Sequence, residues 1–123
     1  MAACMHEGSI LIVEDDSDVR GALAAFLEGK GYPVVEAQHG GEALRHLQSD
    51  KICLILLDLF MPEMNGWAFR TEQMKDPRWA AIPVLVLSAD SVGARLAVTP
   101  GVVGAMTKPV ELDRLLDVVS AYC

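Results

Sequence analysis

Aromatic residues are scarce in this chain, at 6% of 123 residues, yet hydrophobic residues make up 52%. The core is therefore built from aliphatic side chains, and that much apolar content excludes a disordered chain. Cysteine is scarce too: Cys4, Cys53 and Cys123 are odd in number and far apart. They match neither a disulfide framework nor metal-ligand spacing. The sequence thus predicts reduced thiols in a cytoplasmic protein, with Cys53 as a small core residue inside an apolar run. Long hydrophobic runs are absent. The longest, residues 52–57, falls far short of the ~20 needed to cross a bilayer and suits a buried strand. Residues 1–9 lack a basic segment followed by an apolar one, so no secretory signal is expected. Positive charge is also lacking, with 10 Lys and Arg against 17 Asp and Glu, a net charge of −7. Such a chain has no electrostatic grip on nucleic acid or anionic lipid.

What is present is an alternation without repeats or linkers, read as one domain over residues 1–123. Residues 9–13 are apolar and end in acids, as a central strand would. A helix is expected over 17–29, with Val19, Leu23, Phe26 and Leu27 on one face and glycines at its stop. A second strand over 32–37 and a short helix over 41–48 follow, the helix turning Ala43, Leu44 and Leu47 inward. The third strand, 52–57, ends on Asp58. A helix over about 67–75 is broken by Asp76-Pro77. A fourth strand, 83–87, ends on Ser88; a weak helix is expected over 91–98; a fifth strand, 102–106, runs into Thr107-Lys108-Pro109. The last helix, 111–121, has Leu112, Leu115, Leu116 and Val119 inward. Alternating strands and helices in a short chain give an α/β fold, a parallel sheet covered on both faces.

In such sheets, chemistry collects where the strands end. The first strand is followed by Glu14, Asp15 and Asp16, the third by Asp58, the fourth by Ser88 and the fifth by Lys108. Each alone has an ordinary explanation. Asp16 or Ser17 can cap a helix, Asp58 can begin a loop, Ser88 can satisfy a backbone group, and Lys108 can be a surface lysine. Their collection at one edge of one sheet requires four coincidences. Clustered carboxylates repel and call for a cation. Oxygen ligands completed by water suit Mg²⁺. One carboxylate can then act as nucleophile toward a phosphoryl group, with a lysine as point charge and a hydroxyl as hydrogen-bond donor.

The ordered set Ile10-Leu11-Ile12-Val13-Glu14-Asp15-Asp16, Leu57-Asp58-Leu59-Phe60-Met61-Pro62-Glu63-Met64-Asn65-Gly66, Leu87-Ser88-Ala89 and Thr107-Lys108-Pro109 resembles the receiver domains of two-component response regulators. The resemblance covers essentially the whole chain. It implies a flavodoxin-like, five-stranded parallel sheet in the order 2-1-3-4-5, with helices on both faces. It implies phosphorylation of Asp58 by a histidine kinase or histidine phosphotransfer protein, and a switch in contacts with a downstream protein. Counting back from Arg20 assigns the family's acidic pair to Glu14 and Asp15. Asp15 is then the direct ligand of Mg²⁺, Glu14 acts largely through water, and Asp16 is a cap or outer acid. Asp58 and the backbone carbonyl of Phe60 complete the metal ligands. Ser88 and Lys108 face the phosphoryl group, and the Lys108–Pro109 bond is expected to be cis. The implied role is a switch that catalyses only its own phosphorylation and dephosphorylation, with no output domain in this chain.

The sequence departs from the family pattern at Ala105, where a Tyr or Phe often stands three residues before the lysine, and in the weak helix over 91–98. Phe60, bulky and apolar, is expected to slow water attack on the acyl phosphate. Two other readings are a receiver-shaped binding module that works without phosphorylation and a dehalogenase-like phosphatase. The intact acids and lysine oppose the first; the second ordinarily has Asp-x-Asp after the first strand, where this chain has contiguous acids. His39 and His46 read as surface or helix residues, and Trp67 and Trp79 as core or rim packing.

Overall fold

The computed structural model describes residues 8–59, 66–88 and 101–123. The elements are β1 (Ser9–Val13), α1 (Ser17–Gly29), β2 (Val34–Ala37), α2 (Gly40–Ser49), β3 (Ile52–Asp58), α3 (Gly66–Met74), α4 (Pro77–Ala80), β4 (Val84–Ser88), β5 (Val102–Thr107) and α5 (Leu112–Tyr122). The strands form one sheet in the order β2-β1-β3-β4-β5, with every pairing parallel. The expected α/β architecture and strand order are those observed.

Alternation along the strands divides the core into two layers. Ile10, Ile12, Leu54, Leu56, Leu85 and Leu87 pack under Leu23 and Leu27 of α1 and Leu115 and Val119 of α5. Leu11, Val13, Ile55, Leu57, Val84 and Val86 pack under Ala43 and Leu47 of α2 and Phe69 of α3. Because β3 is central and covered on both sides, all seven of its residues are buried, which is why it reads as an unbroken apolar run. Each fully buried Leu or Ile here contributes about 1.5–3 kcal/mol.

Helix starts follow their caps. The Asp16 carboxylate accepts from the Asp18 and Val19 amides, and His39 Nδ1 accepts from the Glu42 amide. His46 lies between Asp50 and the Glu36 carbonyl. Asp76 caps a short helix that the sequence reading took only as a break: its carboxylate accepts from the Arg78 amide, and Pro77 supplies the preset first turn. Buried Gln73 of α3 donates to the Trp79 and Ile82 carbonyls, fastening that turn to the sheet. Trp79 is partly buried against the α2–α3 layer. Leu112, expected inward, is 41% exposed. The opening turn of α5 lies beside β5, an edge strand that is itself half open, so little apolar surface is there to cover it. The expected helix over 91–98 lies outside the described residues.

The cysteine expectation is overturned. Cys53 and Cys123 form a disulfide, with Cα atoms 5.6 Å apart and a sequence separation of 70. The reason lies in the strand register. Ser9 pairs with Ile52 and Ile10 with Leu54, so Cys53 is an extra residue that β1 does not match. Such a bulge re-aims a side chain, and Cys53 joins Leu54 on the α5 face, where Cys123 packs. Spacing along the chain carries no trace of this contact.

Gly8 leads into that bulge with φ +131°, and a Cβ there would lie 2.7 Å from the Lys51 carbonyl oxygen. Gly21, exposed in α1, has nothing within 4 Å of its would-be Cβ. Gly8→Ala is therefore expected to destabilise the fold by about 1–3 kcal/mol. Gly21→Ala is expected to stabilise it by about 0.4–1 kcal/mol. Urea denaturation of the two variants checks the opposite signs.

Candidate functional site

Four strand ends converge. Glu14 follows β1, Asp58 closes β3, Ser88 closes β4, and Lys108 follows β5. Glu14, Asp58 and Ser88 are buried at 1%, 3% and 0% exposure, whereas Asp15 is open to solvent. One carboxylate oxygen from each of Glu14, Asp15 and Asp58 lies within 4.8 Å of the others. Lys108 Nζ donates to Glu14 Oε1 and sits 3.5 Å from Asp58 Oδ2. Of the residues named from sequence, the structure brings together Glu14, Asp15, Asp58 and Lys108, and sets Ser88 at the end of the strand beside Asp58. The Phe60 carbonyl lies outside the described residues.

The backbone fixes these groups. The Lys108 amide donates to the Ser88 carbonyl at 2.7 Å, and Ser88 pairs with Thr107 in the β4–β5 register. The Leu59 amide donates to the Leu87 carbonyl at 3.3 Å, holding the exit of β3 to β4. The Lys108–Pro109 peptide is cis, as expected. Asp16 points away as the cap of α1, while its amide donates to Glu14 Oε2 at 3.1 Å. Arg20 has a structural part that the sequence reading did not assign. Its Nη1 donates to the Glu14 carbonyl at 2.8 Å, and its Nε pairs with Glu36 at 3.2 Å, bracing the β1–α1 turn. The only signal for this was its place in the first turn of the helix that follows the acids.

Burial pushes the Glu14 carboxyl above its ordinary range, and the Asp58 charge adds to that; the Lys108 ammonium and the Asp16 amide pull the other way without cancelling it. For Lys108, burial works against the ammonium, but Glu14 and Asp58 more than offset it and its pKa is raised. With every group ionised, three carboxylates and one ammonium leave two net negative charges. One divalent cation neutralises them, and an all-oxygen donor set open to water on the Asp15 side fits Mg²⁺.

A family model described as the response regulator receiver domain matches residues 10–120. The CAI-1 autoinducer sensor kinase/phosphatase CqsS of Vibrio cholerae is 36% identical over 120 residues, which is 95% of this chain but only 18% of CqsS. Protein PilH of Pseudomonas aeruginosa is 32% identical over 117 residues, covering 91% of this chain and 94% of PilH. A response regulator receiver protein from Pseudomonas putida shares the fold at TM-score 0.83 and 31% identity, over 91% of this chain and 94% of that one. The response regulator TrrA of Thermotoga maritima, solved with Mg²⁺ and BeF, matches at TM-score 0.83 and 26% identity, over 95% of this chain and all of TrrA.

Lys108→Met leaves the buried carboxylates without their cation. It is expected to cost about 1–3 kcal/mol of stability in metal-free buffer at neutral pH. A carboxyl whose folded pKa stands above its unfolded value loses stability as pH rises through that window. Without Lys108 to pull it down, Glu14 holds its proton to still higher pH. The loss is therefore expected to shrink on the acid side of neutrality and grow on the alkaline side. Denaturation curves across that range check the direction.

Proposed function

This chain belongs to the response regulator receiver family, and we propose that Asp58 is its phosphoryl acceptor. As a receiver domain it serves two-component signalling. The observation that carries the residue-level reading is the buried Asp58 carboxylate, 3.5 Å from Lys108 Nζ and grouped with Glu14 and Asp15.

The chemistry follows from those positions. An Asp58 oxygen attacks the phosphorus of a phosphohistidine on a kinase or phosphotransfer protein. The P–N bond breaks, and the imidazole leaves as the acyl phosphate forms. The Lys108 ammonium, already between two carboxylates, lies near enough to shift to a phosphoryl oxygen. The Ser88 hydroxyl, at the end of the neighbouring strand, is the donor for another oxygen. Asp15 and Asp58 would hold Mg²⁺, with Glu14 acting through water; the receiver pattern adds the Phe60 carbonyl, which lies outside the described residues. The bound ion supplies charge neutralisation for the incoming group. Water later attacks the phosphorus, the P–O bond to Asp58 breaks, and phosphate leaves. In this reading Phe60 slows that step.

The switched contact is with a downstream protein. Ala105, exposed on β5 opposite Val86, offers no ring to relay a change at Ser88. In this reading residues 1–123 act as one receiver unit in the cytoplasm, and the net charge of −7 opposes binding of nucleic acid or anionic membrane. Among the described residues, no helix is long and apolar enough to cross a membrane.

Incubation with acetyl phosphate and Mg²⁺, followed by intact-mass measurement, tests the assignment. Wild type is expected to gain the mass of one phosphoryl group and Asp58→Asn to gain none. Equal labelling of the two would overturn Asp58 as acceptor.

A further inference from the structure

We infer that Cys53 and Cys123 form a reversible redox site whose disulfide holds the last turn of α5 to β3 and thereby tunes phosphoryl capture at the opposite end of the same two elements. The tuning part rests on the site proposed above.

The disulfide joins β3, which ends on Asp58, to α5, which begins four residues after Lys108. Five residues beyond Cys53 on β3 stands Asp58; fifteen residues before Cys123, past α5, stands Lys108. Only residues 109–111 separate Lys108 from the first turn of α5. The S–S bond closes one end of this frame, and the 3.5 Å approach of Lys108 Nζ to Asp58 spans the other. The bulge has a consequence here: it turns Cys53 out of strict alternation and onto the face where α5 ends. Leu115 and Val119 of α5 are fully buried in the core, an anchor separate from the disulfide. Opening the bond therefore loosens the final turn and its lever on Lys108 without undocking the helix, and the coupling is modest.

The pair is open to reagents from one side. Cys53 is buried at 8% exposure, while Cys123 is half-buried. A dithiol reductant attacks the Cys123 sulfur; the S–S bond breaks, and Cys53 leaves as a thiolate and takes up a proton. The reductant's second thiol displaces Cys123 from the mixed disulfide, so two electrons pass from the dithiol, which ends as its own disulfide. In the other direction, hydrogen peroxide converts the Cys123 thiolate to a sulfenic acid with release of hydroxide. The Cys53 thiol then condenses with it and water leaves.

The full chain with Cys4→Ser, oxidised with peroxide or reduced with dithiothreitol, is alkylated to count thiols and titrated with beryllofluoride in Mg²⁺ by calorimetry. The oxidised protein is expected to show no free thiol and the reduced protein two. Reduction is expected to weaken beryllofluoride binding about fivefold and to speed amide exchange in the last turn of α5. Cys123→Ser, altered at the half-buried member so that the core is spared, should bind like the reduced protein whatever the redox state. Two free thiols after peroxide would overturn the redox site. A reversible bond with equal affinities would overturn the tuning and leave the Asp58 assignment standing. No binding in either state would sink both.

Discussion

Two carboxylates with almost no access to water, on strands β1 and β3, meet one ammonium group from beyond β5. Charges buried in this way are tolerated only when paired and hydrogen-bonded, so the position of Lys108 is as much a condition of the fold as of the chemistry. Around that ion pair the rest of the arrangement is explicable. The strands that deliver the acids must be central and buried on both faces. The turn after β1 needs Arg20 and the Asp16 cap to hold its acids in register. The backbone of Lys108 is tied to the end of β4. The remaining negative charge suits the pocket to a divalent ion.

Much of this was readable from residue order, because parallel sheets convert chain order into spatial order. The apolar run over 52–57 can only be a covered strand, so the acid that follows it must lie at a sheet edge beside those after β1. Asp58, Glu14, Asp15, Ser88 and Lys108 were legible for that reason, and the receiver pattern named them in one ordered set. The limits of α1 and the start of β1 were equally clear, since glycine stops and acidic caps leave local signals.

What escaped the sequence was whatever depends on register or on distant partners. The bulge at Cys53 is a one-residue mismatch between β1 and β3, which no local pattern encodes. Its disulfide spans 70 residues and overturns the expectation of reduced thiols, and with it the cysteine argument for a reducing compartment. Leu112 has the right helical spacing for burial, yet lies beside the half-open edge strand β5 and is 41% exposed. The short α4 hides behind its proline, which reads as an end although, after an Asp, it also begins a helix. Arg20 served as a counting mark, while its hold on the Glu14 carbonyl required the fold to be seen.

The most direct test of the central claim is a crystal structure with Mg²⁺ and beryllofluoride. The account expects the beryllium on an Asp58 oxygen, Mg²⁺ about 2.0–2.1 Å from oxygens of Asp15 and Asp58, and Lys108 Nζ moved from Glu14 to a fluorine. An adduct on any other residue, or Lys108 still bound to Glu14 with Asp58 occupied, would contradict it.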